Sequence, residues 1–154
     1  MSARFVLLTV GRGRAGWAAE AIQEWAKRLR RAGGFEEVAI KAEPFRGDEH
    51  QVREAEGVRL LAKVGARDRL VVLDERGDGL DTRAFAALVD TARQSGRVVF
   101  AIGGPYGHAD AVRAAAWRTV RLSDLVLNHE VARVVFVEQL YRAITLLEGG
   151  PYHH

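Results

Sequence analysis

The chain has 154 residues, 48% of them apolar and 28% charged, with a net charge of +3 and no cysteine. That length favours one domain over residues 1–154 with a core of ordinary size, and the absence of thiols excludes disulfides, thiolate metal sites and cysteine nucleophiles together. No apolar run of about 18 residues is present, so no membrane-spanning helix is expected; the first residues lack a secretory layout, which makes a cytoplasmic protein the expectation.

Phe5 to Val10 is a short apolar run closed by Gly11 and predicts a first strand. Ala18, Ala21, Ile22, Trp25, Ala26 and Leu29 recur at helical spacing, which predicts a helix from Trp17 to Arg31 ended by Gly33-Gly34. Glu37 to Ala42 reads as a second strand, stopped by Pro44. Asp48 with Gln51 resembles a capping box and opens a helix to about Val64, interrupted only by Gly57. Leu70 to Leu73 is a third strand, and Asp74 to Gly79 reads as a polar loop. Asp81-Thr82 can cap a helix carrying Phe85, Leu88, Val89 and Ala92, which Gly96 stops. Val98 to Ile102 is a fourth strand, Asp110 to Trp117 a short helix, Thr119 to Leu122 a fifth strand and Glu130 to Leu147 the last helix. Strands alternating with helices predict an α/β fold with a mostly parallel sheet and helices on both faces.

Two strand ends carry the chemistry. Ala101 to His108 runs from a strand into Gly103-Gly104-Pro105-Tyr106-Gly107, and Arg121 to His129 runs from a strand through small, mostly uncharged residues. Two such loops predict a cleft lined by backbone that accepts a flat ligand. A third candidate, Gly11-Arg12-Gly13-Arg14-Ala15-Gly16, fits G-x-G-x-x-G between a strand and a helix, with Glu43 available to a ribose. It competes as the site of a nucleotide-binding module. A non-catalytic RNA-binding dimer is a further alternative.

No histidine pair has metal-ligand spacing, so no metal is expected. None of Ser2, Ser95 or Ser123 sits in G-x-S-x-G, so nucleophilic hydrolysis has no support. His129 and Arg133 stand four residues apart on one face of the last helix. They could orient a base, or the histidine could cap the helix with Arg133 solvated. Val131, Val134, Val135, Phe136, Val137, Leu140, Tyr141, Ile144 and Leu147 cover more than one face of that helix, which points to a homodimer interface or to a central core helix. All but three of the basic residues are arginine (Lys27, Lys41 and Lys63 are the exceptions), a bias that codon usage explains as well as RNA does.

Taken in order, Leu70 to Asp74, Ile102 to Gly107, Leu122 to His129, Val131 to Val134, Glu138 to Ala143 and Pro151-Tyr152-His153 resemble the SPOUT superfamily of methyltransferases. More narrowly the chain is similar to the ribosomal RNA large-subunit methyltransferase H family, which methylates N3 of a pseudouridine. The resemblance spans essentially the whole chain. It implies a C-terminal trefoil knot, a homodimer and a large-subunit ribosomal RNA substrate in the assembled ribosome. It also implies S-adenosylmethionine bound by Leu73, Gly103, Gly104, Leu122, Ser123, Asp124, Leu125, Val126 and Leu127. His129, Arg133, Tyr152 and His153 become the acceptor side, with a histidine taking the N3 proton and Arg133 stabilising charge on the neighbouring carbonyls. Asn128 departs from the proline that many relatives carry before the histidine. Arg12, Arg14, Lys27, Arg28, Arg30 and Arg31 are the expected RNA contacts.

Overall fold

A computed structural model of the chain describes residues 3–11 and 16–154. Five parallel strands, β1 (Phe5–Val10), β2 (Phe35–Ile40), β3 (Arg69–Gly79), β4 (Val98–Ile102) and β5 (Arg118–Arg121), lie in the order β2-β1-β4-β3-β5. The helices are α1 (Gly16–Arg28), α2 (Glu49–Leu61), α3 (Thr82–Arg93), α4 (Asp110–Ala115) and α5 (His129–Leu147).

The two-residue period of the strands sorts the core into two layers. Phe5, Leu7, Val71, Phe100 and Ile102 face α1, α3 and α5, where Ile22, Phe85, Val89, Phe136, Val137 and Leu140 meet them. Val6, Leu8, Val72, Val99 and Ala101 face α2 and α4, against Leu60, Ala109 and Val112. Strands covered on both faces need few polar positions, which is why β4 reads as an unbroken apolar run and β1 as one interrupted only by Thr9, and their predicted bounds hold.

Several local expectations change. The first helix stops at Arg28 and tightens into a 3₁₀ turn over Leu29–Ala32, closed by Gly33 at φ 106°. Asp48 does cap α2, but it accepts from the His50 N–H at 2.9 Å, so Gln51 completes no box. Gly57 lets α2 pack closely on Ala109, which precedes α4, and on Val112 of α4: an added Cβ would lie 3.1 Å from each. The apolar excess of α5 goes first into this chain's own core, where Phe136, Val137, Leu140, Ala143 and Ile144 are buried.

The largest change is at Asp74 to Gly79, which is strand and not loop. Leu73 and Asp78 both pair with Val120, so Asp74 to Gly77 bulge out of the ladder before β3 rejoins β5 at Gly79↔Arg121. The bulge crosses β5 so closely that a Cβ on Gly77 would sit 2.5 Å from the Val120 nitrogen. Only glycine fits a backbone-to-backbone approach of that kind.

Candidate active site

A cleft of about 700 Å³ opens at the carboxyl ends of β3, β4 and β5. In open parallel sheets, connections diverge there and leave a crevice for ligands. Leu73 ends the regular part of β3, Gly103 and Gly104 follow β4, and Leu122, Ser123, Leu125, Val126 and Leu127 follow β5; all line the cleft. The two loops read from the sequence therefore converge on one site. Asp124 turns away and binds the Arg121 Nε at 2.6 Å, while Arg121 also donates to the Gly77 carbonyl at 3.1 Å. Leu125 and Val126 are 76% and 89% exposed, an apolar pair left uncovered at the mouth.

The β4 loop is shaped by its glycines. Gly104 accepts from the Gly107 N–H at 3.0 Å, closing a turn in which Pro105 supplies a preset φ and Gly107 takes φ 82°. A Cβ on Gly103 would lie 3.1 Å from the Gly107 carbonyl carbon, and one on Gly104 would lie 2.8 Å from Glu56 Oε1. Glu56 is buried, accepts from the Glu43 N–H at 3.0 Å through Oε2, and leaves Oε1 without a hydrogen-bond partner among the described residues. Burial pushes its carboxyl above the usual range, against the lowering influence of the Glu43 N–H and Arg59.

Three groups that the sequence reading did not assign fasten the floor. His108 is 3% exposed, and its Nε2 lies 3.1 Å from the Leu73 carbonyl and 3.2 Å from that of Ala101. Both partners are acceptors, so Nε2 carries the proton and ties β3 to β4 at the cleft. Arg113 joins Asp74 at 3.0 Å, the His108 carbonyl at 2.9 Å and Asp110 at 2.6 Å. His108 and Arg113 are neighbours through the start of α4, but only the parallel crossover brings Asp74 to them.

Burial pushes the His108 imidazole below the ordinary histidine range, with Asp74 pulling up and Arg113 pushing further down. In the unfolded chain the ring titrates at about 6.5. Below that value the unfolded chain binds a proton that the native protein refuses, so stability falls as pH falls, by at most about 1.4 kcal/mol per unit. Urea unfolding at pH 7.5 and 5.5 is expected to show a steeper acid loss for the wild type than for His108→Gln. Equal slopes would remove His108 as the cause.

The acceptor-side candidates lie elsewhere. His129 opens α5, just after Leu127, with Asn128 capping the helix by accepting from the Glu130 N–H at 2.8 Å. Its Nε2 is buried without a hydrogen-bond partner among the described residues. Arg133 is not solvated: it is buried and donates to Glu37 of β2 and to Glu130, which hold its guanidinium in the charged form. Tyr152 and His153 fold back on the middle of α5. The Tyr152 hydroxyl donates to Glu138 at 3.3 Å, its ring meets Tyr141 edge-on, and His153 Nδ1 is 3.2 Å from Arg142. Glu138 is roughly 13 Å along the helix axis from His129, and none of these tail residues lines the cleft of its own chain.

Gly11 and Gly16 do not line the cleft, Glu43 is taken by Arg59 at 2.5 Å, and Arg12, Gly13, Arg14 and Ala15 lie outside the described residues. Lys27 and Arg28 end α1, Arg30 and Arg31 lie in the 3₁₀ turn after it, and none of the four lines the cleft, whose arginines are Arg53, Arg76, Arg113 and Arg121. Among the described residues no cluster of metal-ligating side chains occurs, and no helix is long and apolar enough to cross a membrane.

A parallel sheet with two loops converging at its carboxyl edge is where open α/β proteins bind their ligands, and similarity to known proteins gives the class. The profile described as "Predicted SPOUT methyltransferase" matches residues 3–153, and the chain belongs to that family. A crystal structure of a protein described as a probable methyltransferase from Bordetella pertussis Tohama I shares the fold, with a TM-score of 0.58 at 20% identity over 92% of this chain and 96% of that one. Within the family the chain belongs with the ribosomal RNA large subunit methyltransferase H proteins. It is 45% identical over 151 residues to the one from an Anaeromyxobacter species, covering 97% of this chain and 99% of the relative. It is 37% identical over 150 residues to the one from Geotalea uraniireducens, covering 96% and 97%.

Proposed function

We propose that this chain, as one domain over residues 1–154 with a C-terminal trefoil knot, is an S-adenosylmethionine-dependent methyltransferase. Its acceptor is N3 of a pseudouridine in large-subunit ribosomal RNA of the assembled ribosome, and it works in the cytoplasm as a homodimer. The observation that carries the reading is the cleft between the Gly103-Gly104 and Leu122–Leu127 loops. Its wall combines apolar side chains (Leu73, Ile102, Leu122, Leu127) with exposed loop backbone, which suits a flat adenosine. Its charges nearly balance: Arg53, Arg76, Arg113 and Arg121 face Glu49, Glu54, Asp74, Glu75 and Asp110. Such a wall holds no cationic surplus for a pyrophosphate and tolerates a sulfonium, which favours the methyl donor over a dinucleotide in this cleft.

When bound, S-adenosylmethionine supplies an already activated methyl group. The Gly103-Gly104 and Leu122–Leu127 loops would hold it. The protein must then orient the acceptor and take the imide proton. A neutral histidine suits that step; His129, beside the cleft with an unpartnered nitrogen, and His153 of a second copy are the two assigned. Arg133 stabilises charge on the neighbouring carbonyls only by exchanging Glu130 for the base; otherwise it positions the start of α5. Because Tyr152 and His153 lie off the cleft of their own chain, they complete the site from the partner, against a surface that the exposed Leu125 and Val126 continue.

Thermal unfolding with four ligands tests the reading. S-adenosylmethionine and its demethylated product at a hundredfold excess over Kd are expected to add about 2.7 kcal/mol, a rise of roughly 5–10 °C in Tm. NAD and ATP are expected to add nothing. A response to NAD alone would return the site to the Gly11 turn.

A further inference from the structure

Phe45, in the loop between β2 and α2, is 53% exposed and belongs to neither core layer. Its ring is nevertheless placed: it meets the ring of Tyr106 with centroids 5.4 Å apart at 31°. Tyr106 stands in the Gly104–Gly107 turn on the lip of the cleft, and its carbonyl lies 3.5 Å from Arg53 Nη1. Arg46 follows Phe45 directly, is exposed, and has no ion-pair partner among the described residues. Glu49 and Glu54 face the same stretch; Glu49 is 3.6 Å from Arg53, and Glu54 is 4.0 Å from His50.

Two rings kept in contact at a wet surface lose hydrophobic contact that either could find in a core. Their arrangement is accounted for by a flat partner. Every nucleobase presents a π-face, and stacking on aromatic side chains is the general way in which proteins hold unpaired bases. Guanidinium groups beside the rings match the phosphates on either side of such a base. The patch is far smaller than the roughly 800 Å² per partner that a stable protein interface needs, which disfavours a folded protein as the occupant.

We infer that the Phe45–Tyr106 pair is a stacking platform for an unpaired RNA base next to the methylated one. The inference rests on the RNA methyltransferase reading, and its test is independent of turnover. A single-stranded RNA loop carrying 2-aminopurine is titrated with the full-length protein in low salt. Stacking on the platform quenches the fluorophore. Phe45→Ala/Tyr106→Ala is expected to weaken binding about 5- to 150-fold and to abolish the quench. Phe45→Leu/Tyr106→Leu, which keeps apolar bulk without a π-face, should behave like the alanine pair, and Tyr106→Trp should restore the quench. S-adenosylmethionine affinity by calorimetry should stay within twofold in the single variant Phe45→Ala, whose side chain does not line the cleft. No quench with the wild type, or a quench retained by the alanine pair, overturns the platform. A parallel loss of S-adenosylmethionine affinity in that single variant also overturns it by assigning the rings to the donor. If the wild type quenches the fluorophore but methylates no ribosomal RNA, the functional reading fails while the platform stands.

Discussion

Deleting Pro151 to His154 is expected to slow single-turnover methyl transfer about 10²–10⁴-fold, the usual worth of a general base, and to leave S-adenosylmethionine affinity within twofold. The separation follows from where the tail lies. Tyr152 and His153 pack on Glu138, Tyr141 and Arg142, away from every loop that lines the cleft. Removing them takes nothing from the donor pocket of the same chain. A mixing experiment assigns the partner's contribution. Tail-deleted chains combined with His129→Ala chains in equal amounts put one intact site into each mixed dimer. Random pairing then restores about a quarter of the wild-type sites. Mixed dimers that recover no activity would refute the shared site. Wild-type rates in both His129→Ala and His153→Ala would remove both histidines as the proton acceptor.

Gly104→Val should lower S-adenosylmethionine affinity about 10²-fold, the scale of an ångström of misplacement at a tight site. The mechanism differs from a side chain simply filling the cleft. A Cβ at Gly104 points at Glu56 Oε1, 2.8 Å away, and at Val10 Cγ1, 3.2 Å away. Both neighbours are buried, so neither can swing aside and the loop itself must rise. Shortening the obstacle with Glu56→Asp in the Gly104→Val chain should recover part of the affinity. Calorimetry that returns wild-type affinity for Gly104→Val would refute this account of the loop.

Much of the architecture is legible along the chain because both faces of the sheet are covered. β1 and β4 contain almost nothing but apolar residues, and α3 shows Asp81 at its cap, where it accepts from the Ala84 N–H at 2.8 Å. The second half of β3 is illegible for the opposite reason. Asp74 to Gly79 forms strand with a polar, turn-like composition, held by β5 and by Arg121 rather than by burial of its own side chains. The paired glycines at Gly77 and Gly79 were the available signal, since glycine alternating in a strand marks a close backbone approach.

The site divides in the same way. Local composition suffices to pick out the two small-residue loops, because a bend that approaches a ligand through its backbone needs glycine and short side chains wherever it falls. That the loops face each other depends on β4 and β5 pairing with opposite sides of β3, a long-range choice that no local pattern records. The same crossover brings His108 under Leu73 and Arg113 against Asp74, and it leaves the carboxyl-terminal tail on the flank of α5 rather than over the cleft. Residue types are a property of the chain, whereas the pairing of charges and carbonyls distant in sequence exists only once the strands have taken their order.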